Sequence, residues 1–253
     1  YNKKESQRVD MKLYHELKGE AGEIYKNIPE LPFSNAWIAK NFGFHLPNNC
    51  ELHLGIRNSL RVWSFFDISS NIRTYSNVGG FGIDGSLSSL IGASLVDRNK
   101  LYYCVLGDLA FFYDMNSLGN RHVESNIRIL LVNNATGMEM RFSSFYASNV
   151  NAETENFISA SRHYGNKSPN LVKHYAEDLG FRYLFAKDKN EFAESAKDFF
   201  SPDVCDKPII FEVFTDAIDE DMAYQALTTI NSSIGSDLKN SSIIENLDRK
   251  SVV

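Results

Sequence analysis

The chain has 253 residues, which is long enough for one large α/β domain with a substantial buried core. With 43% hydrophobic and 23% charged residues and a net charge of −6, it is typical of a soluble globular protein, and a general nucleic-acid binder, which needs a surplus of Lys and Arg, is excluded. The apolar runs are too short to cross a membrane, and three separated cysteines without a C-x-x-C pair favour buried thiols in a cytoplasmic protein over disulfides or a zinc site.

Residues 1–30 are polar and predict a linker that becomes a helix, whereas residues 31–228 alternate between helical and strand patterns and predict one domain. Residues 229–253 form a Ser- and Asn-rich polar tail. The predicted strands are, in order, ELHLGI, IRTYSN, LYYCVLG, IRILLVNN, RYLFA and KPIIFEVF. Strands that are apolar on both faces and alternate with amphipathic helices predict an α/β fold: a doubly wound, mostly parallel sheet with helices on both faces.

Two of the predicted strands end in polar side chains. Asp108 follows the apolar run LYYCVLG and opens the next helix, and Asn133 and Asn134 close IRILLVNN. Because the carboxyl ends of parallel strands meet at one edge of a sheet, we expect these side chains to lie close together. A Mg²⁺ ion takes one or two side-chain oxygens and fills its other positions with phosphate and water. The pattern therefore predicts a magnesium ion that holds a diphosphate.

Simpler explanations exist for each of these features alone. An Asp after Gly at a helix start most often caps the helix, and Asn-Asn is most often a turn pair. The segment SNVGGFGIDG, residues 76–85, clusters glycines before a helix, which indicates close approach of the backbone to a flat ligand. A glycine-rich turn is weak by itself, but the three features together favour the ligand site.

The combination of GDL, NN and SNVGGFGIDG resembles the diphosphate-binding domain of thiamine diphosphate enzymes, whose signature begins Gly-Asp-Gly and closes with Asn-Asn. Leu109 in the third position, with GIDG and YDMN, is most similar to the menaquinone-pathway branch, 2-succinyl-5-enolpyruvyl-6-hydroxy-3-cyclohexene-1-carboxylate synthase. The resemblance spans roughly Leu31 to Phe214, with NSLRV and KPIIFEVF as weaker flanking matches. It implies the thiamine diphosphate-binding fold, with thiamine diphosphate and Mg²⁺ as cofactors.

The resemblance also implies individual roles. Asp108 and Asn134 would bind Mg²⁺ through their side chains, and Thr136 through its backbone carbonyl. The other implied cofactor contacts are the N–H groups of Leu109 and Ala110 for the diphosphate, Ile83 beneath the bent cofactor, the Phe81 carbonyl for its amino group, and Ser59 near cofactor and substrate. Core packing explains Ile83 equally well, and a helix cap explains Ser59.

The catalytic glutamate of this family belongs to a separate pyrimidine-binding domain, for which the sequence shows no pattern. We therefore expect the chain to be part of a larger enzyme, or one subunit of a split enzyme, that is inactive alone. The resemblance implies a homo-oligomer with the complete site at a subunit interface.

The resemblance departs from the menaquinone branch at its substrate site. Two arginines that bind substrate carboxylates there align with Trp63 and Val78, and Arg61 could replace one of them. We therefore expect a related decarboxylase or carboligase, a lyase or transferase acting on a different 2-oxo acid. Two alternatives stay open: a genuine synthase of menaquinone biosynthesis, and a non-catalytic module that binds a phosphate ligand.

Two further residues lie in or near the loop-rich segment that begins at Ala135. His163 could belong to a lid over the cofactor, although an exposed loop histidine is the simpler interpretation. Glu139 follows the predicted metal loop and could support it, or could be an ordinary surface acid.

Overall fold

The protein is represented by a computed structural model that describes residues 11–80, 82–144, 157 and 168–238, with the backbone alone over 231–238. Residues Leu31–Gln225 form one compact unit. The terminal segments Tyr1–Glu30 and Ala226–Val253 form a second unit. Phe81 and His163 lie outside the described residues, so their predicted roles stay predictions.

The compact unit is built on a six-stranded parallel sheet. The strand order is β2-β1-β3-β4-β6-β5, and every neighbouring pair is parallel. The strands are β1 Cys50–Leu54, β2 Arg73–Ser76, β3 Leu101–Gly107, β4 Ile127–Asn133, β5 Arg182–Ala186 and β6 Ile209–Phe214. The predicted fold class is therefore confirmed, and the described sheet is entirely parallel.

Eight α-helices lie in the described part of the chain. They are α1 Lys12–Lys26, α2 Asn35–Phe42, α3 Asn58–Trp63, α4 Ser86–Ser94, α5 Asp108–Asp114, α6 Leu171–Asp178, α7 Lys189–Phe199 and α8 Ala217–Leu238. The first residues of α8 belong to the sheet unit, and its later residues belong to the unit of the terminal segments. None of the described helices is both long and apolar enough to cross a membrane.

Local chemistry explains where the helices begin. Ser34 caps α2, because its hydroxyl accepts a hydrogen bond from the Trp37 N–H at 3.2 Å. The helix that follows the glycine-rich segment begins at Ser86. Gly85 precedes it with φ +77°, a left-handed conformation that suits glycine and cannot continue a right-handed helix.

The two faces of the sheet have different cores. On one face, alternate residues of the central strands pack with α4, α5 and α6 in a mostly aliphatic cluster. On the other face, aromatic side chains of α2 and α7 meet the sheet, and the Phe192 ring stacks on Phe211 at 4.9 Å. Because both faces of the sheet are covered, the sequences of the central strands are continuous apolar runs. Cys104, in one of these strands, is fully buried as a free thiol.

The connections place a topological switch point between β1 and β3. From β1 the chain moves outward to β2 and then returns to β3 on the other side of β1. The loops that leave β1 and β3 therefore diverge, and a crevice opens at the carboxyl ends of these strands. Gly55, just after β1, allows the close approach there, because a Cβ on it would meet the Leu106 Cβ at 3.1 Å.

Candidate functional site at the switch point

A cleft of about 510 Å³, counting the part open to solvent, lies at this switch point. It is lined by the loops after β1, β3 and β4. The lining residues include Asn35, Ile56, Arg57, Asn58, Ser59, Ile83, Gly107, Asp108, Leu109, Ala110, Asn134, Thr136 and Glu139. Every residue to which the resemblance assigns a role at the cofactor or the metal lines this one cleft, except Phe81, which lies outside the described residues. Asn133, which the strand pattern placed with Asn134, does not line it.

Asp108 joins two of the three loops. Its side chain is 1% exposed; Oδ1 accepts from the Leu109 N–H at 2.9 Å and Oδ2 from the Ala135 N–H at 2.9 Å. Gly107 occupies the cap position, so Asp108 is the first residue of α5 and not its cap. The carboxylate therefore ties the end of β3 to the end of β4, and a carboxylate oxygen that accepts one hydrogen bond can also coordinate a cation.

The loop after β4 turns sharply at the cleft. Asn134 Oδ1 accepts from the Thr136 N–H at 3.3 Å, the hydrogen bond expected of an Asn in a turn. Ala135 between them has φ +68°, which is unusual for a residue with a side chain. Asn134 and Thr136 are both buried. The turn therefore holds Asn134 in the lining of the cleft that Asp108 also lines.

Behind this turn lies a buried polar network. Asn133 Nδ2 donates to Glu212 Oε1 at 2.7 Å, and the Tyr183 hydroxyl donates to Glu212 Oε2 at 2.7 Å. Burial, more than the nearby charge of Asp108, raises the pKa of the Glu212 carboxyl, while the two hydrogen bonds lower it. Each carboxylate oxygen thus has a donor, and the network fixes the end of β4.

The remaining predicted contacts line the cleft in different ways. Ser59 is buried, and Ala110 is buried at the start of α5 beside Leu109. Ile83 is half-buried and packs against the aliphatic core while it also lines the cleft. Both of its proposed roles, core packing and cofactor support, are therefore compatible with its position.

A charged cluster joins the loop after β1 to the loop after β4 at the wall of the cleft. Arg61 donates to both carboxylate oxygens of Glu139, at 2.6 and 3.0 Å, and Arg57 Nη1 lies 3.6 Å from Glu139 Oε1. The hydrogen bonds that Arg61 donates to Glu139 raise the pKa of Arg61, so this guanidinium stays charged. Glu139 is therefore an ion-pair partner at the cleft, and Arg61 already has a carboxylate bound.

The two positions aligned with substrate arginines differ from each other. Trp63 is buried, and its indole Nε1 donates to Asn35 Oδ1 at 2.9 Å. Asn35 in turn donates its backbone N–H to Glu220 at 3.0 Å. Val78 is exposed. Neither side chain can bind a carboxylate, and Trp63 instead supports a residue of the cleft.

Several residues at or behind the cleft were not found from the sequence, namely Asn35, Arg57, Asn58, Glu212 and Glu220. A signal existed for Glu212, which is a lone acid in the apolar strand IIFEVF. No sequence pattern marks Arg57, whose position in the cleft depends on the backbone of the loop after β1.

The polar groups of the cleft fit a metal held jointly with an anion. Within the described ranges no three His, Cys, Asp or Glu side chains come together as a metal site. The donors at the two loop tips are instead a carboxylate, an amide oxygen and backbone carbonyls, which suits Mg²⁺ completed by phosphate and water. Asn58 Oδ1 is buried without a hydrogen-bond partner among the described residues, so a polar ligand in the cleft would satisfy it.

Comparisons with known proteins agree with this geometry. Residues 58–213 match the family model for the C-terminal TPP binding domain of thiamine pyrophosphate enzymes. The chain is also similar to 2-succinyl-5-enolpyruvyl-6-hydroxy-3-cyclohexene-1-carboxylate synthases. The relative from Bacteroides fragilis is 36% identical over 74% of this chain and 32% of its own length. The relative from Phocaeicola vulgatus is 35% identical over 75% of this chain and 32% of its own length. The relative from Christiangramia forsetii is 32% identical over 79% of this chain and 33% of its own length. The chain spans about a third of the length of these curated relatives.

Proposed function

Because the chain belongs to the thiamine pyrophosphate enzyme family, through the TPP binding domain that it matches, we propose that it binds thiamine diphosphate together with Mg²⁺. The whole enzyme would decarboxylate a 2-oxo acid or join it to an acceptor. The observation that carries the proposal is the Asp108 carboxylate, which links the Gly-Asp loop to the Asn-Asn loop at the switch point.

Each group in the cleft has a proposed task. The side chains of Asp108 and Asn134 and the carbonyl of Thr136 would hold Mg²⁺. The backbone N–H group of Ala110 would face the diphosphate, with Ser59 and Ile83 beside the organic part of the cofactor. The resemblance predicts that the Leu109 N–H contacts the diphosphate as well, but it donates to Asp108 Oδ1 in this structure. The bound thiazolium supplies an electron sink for decarboxylation, and this chain orients it and excludes water around it.

The complete active site would need a second domain. We propose that a pyrimidine-binding domain, in the same or another chain, supplies the catalytic glutamate, and that the enzyme works as a homo-oligomer. The length of the curated relatives supports this proposal, because the matched segment is about a third of each.

The substrate is proposed to differ from that of the menaquinone enzyme. Trp63 is buried against Asn35 and Val78 carries no charge, so the aligned positions offer no cation to an acidic substrate. Arg61 is already bound by Glu139. The second candidate is a genuine 2-succinyl-5-enolpyruvyl-6-hydroxy-3-cyclohexene-1-carboxylate synthase, which the identity of about a third to such relatives favours.

Calorimetric titration tests the cofactor proposal. We expect thiamine diphosphate to bind the chain with Mg²⁺ present, and to bind at least about 10-fold more weakly with a chelator or after Asp108→Ala, since even outer metal-site partners contribute about 10–100-fold. Asp97→Ala, which removes an exposed acid outside the cleft lining, is the matched control.

The ligand series separates the competing functions. Thiamine without phosphates should bind far more weakly than thiamine diphosphate, because it cannot use the metal. Inorganic pyrophosphate that binds as tightly as thiamine diphosphate would instead indicate a phosphate-binding module. No binding of thiamine diphosphate under any of these conditions would contradict the proposal.

A further inference from the structure

Arg57 has a backbone conformation that side chains rarely adopt. Its φ is +73° and its ψ is −114°, a combination outside the regions allowed for residues with a Cβ and typical of glycine. The residue lies between β1 and α3, at the switch point. Its carbonyl accepts from the Arg61 N–H at 2.9 Å, so the loop is fixed in this conformation by the first turn of α3.

This unfavourable backbone conformation places the side chain of Arg57 at the cleft. That side chain is only 33% exposed and lines the same cleft as Asp108 and Asn134. Its guanidinium shares the Glu139 carboxylate with Arg61, and Arg61 has the closer, two-point contact. The Glu139 carboxylate contacts both guanidinium groups, and these three side chains together carry a net positive charge on the cleft wall.

We propose that Arg57 binds an oxyanion of the ligand in this cleft, either a phosphate oxygen of the cofactor or a carboxylate oxygen of the substrate. A planar guanidinium offers two parallel donors to either group. This inference deepens the proposed function and rests on it for the identity of the ligand.

Glu139 sets the strength of this interaction. Its negative charge attracts the Arg57 guanidinium and repels an incoming anion. Replacing it by Gln keeps the side-chain shape and removes the charge. If Arg57 binds the anion, most of the gain from Glu139→Gln disappears when Arg57 is also replaced by Ala. If Arg57 only anchors the loop through Glu139, the gain is the same with Arg57 and with Ala at that position.

The experiment measures binding of two probes, inorganic pyrophosphate with Mg²⁺ and malonate, to the whole chain by calorimetry. Arg57→Ala should weaken binding of at least one probe by about 10- to 100-fold, the usual effect of a hydrogen bond to a charged group. Glu139→Gln should strengthen binding of the same probe. Arg98→Ala removes an arginine that pairs with Glu124 away from the cleft, and should change neither.

A second pair of variants separates the charge from the backbone. Arg57→Gly and Arg57→Ala both remove the guanidinium, but only glycine relieves the backbone. We expect equal losses of anion binding in the two variants and a melting temperature about 2–4 °C higher for Arg57→Gly. Equal binding losses show that the effect comes from the guanidinium and not from a disturbed loop.

The outcomes distinguish this inference from the cofactor proposal. Loss confined to pyrophosphate assigns Arg57 to the cofactor, and loss confined to malonate assigns it to the substrate. A wild-type chain that binds neither probe, or Arg57 variants that bind both as well as wild type, overturns the inference. A chain whose anion binding depends on Arg57 but that does not bind thiamine diphosphate overturns only the cofactor proposal.

Discussion

The loops that follow β1 and β4 meet at one cleft but are built in opposite ways. Each contains one residue with a side chain and a positive φ, Arg57 after β1 and Ala135 after β4. Around Ala135, the flanking asparagine and threonine are buried and hydrogen-bonded. Around Arg57, the arginine side chains are about one-third exposed, and both contact Glu139.

Under the proposed function, the loop after β4 holds metal ligands in fixed positions, and the loop after β1 contacts anions of different shape. We call them the fixed loop and the variable loop. A metal ion with octahedral ligands needs oxygen atoms held in place, and the Glu212 network behind Asn133 provides such support. A half-exposed guanidinium on a long side chain can follow ligands of different shape. We therefore expect mutations behind β4 to affect stability and metal affinity together, and mutations after β1 to affect the choice of anion.

Glu212→Ala is the strongest test of the fixed loop. Two buried donors, on Asn133 and Tyr183, would lose their acceptor at roughly 1–3 kcal/mol each, so we expect about 2–6 kcal/mol lower stability in urea unfolding. Mg²⁺-dependent binding of thiamine diphosphate should weaken as well, because the end of β4 is no longer fixed. Glu212→Gln, which keeps an acceptor for Asn133, is the milder control. Unchanged metal affinity in a folded Glu212→Ala chain would contradict a supporting role.

Glu220 joins the start of α2 to the end of β6 behind the cleft, and it predicts a pH effect. Its Oε1 accepts from the Asn35 N–H, beside the cleft, and from the Thr215 hydroxyl, next to β6. Burial raises the pKa of this carboxyl from 4.5 to about 7. Between pH 4.5 and about 7, Glu220 therefore keeps its proton in the folded state and loses it in the unfolded chain. The contribution of protonated Glu220 to stability is complete below pH 4.5 and is lost as the pH rises to about 7.

At about 1.4 kcal/mol per pKa unit, this fall amounts to about 3 kcal/mol. Urea unfolding of wild type and Glu220→Gln between pH 4.5 and 8 measures it. The glutamine variant keeps an acceptor but cannot ionise, so its stability should depend less on pH over this window. Parallel curves for the two proteins would show that Glu220 does not titrate there.

The fixed loop could largely be predicted from the sequence, whereas the variable loop could not. Asp108 and Asn134 follow long apolar strands, and parallel strands bring such ends together whatever the details of packing. Arg57 depends on one backbone torsion, and its neighbour Glu139 comes from a loop far along the chain. Neither a torsion nor a loop-to-loop ion pair leaves a periodic pattern. Glu212 is an intermediate case. A single acid in an apolar strand indicates a buried hydrogen-bond partner, but the sequence does not identify that partner.

Tyr183→Phe sharpens the account of the fixed loop with a smaller change. The variant removes one donor to Glu212 and leaves the Asn133 contact intact. We expect a loss of about 1–2 kcal/mol of stability, with thiamine diphosphate and Mg²⁺ affinity within about twofold of wild type, since the carboxylate keeps its other hydrogen bond. A large loss of metal affinity would mean that the tyrosine acts on the site directly.

Glycine at the two positive-φ positions gives the smallest effect and the most direct comparison of the loops. At Ala135, relief of a left-handed conformation that costs roughly 1–2 kcal/mol is partly offset by roughly 0.4–1 kcal/mol of extra freedom in the unfolded chain. We expect Ala135→Gly to gain about 0.5–1 kcal/mol in urea unfolding and to keep anion binding, because its N–H still donates to Asp108. Arg57→Gly should also relieve its backbone but lose anion binding. If both glycine variants kept full anion binding, the loops would differ in conformation but not in function.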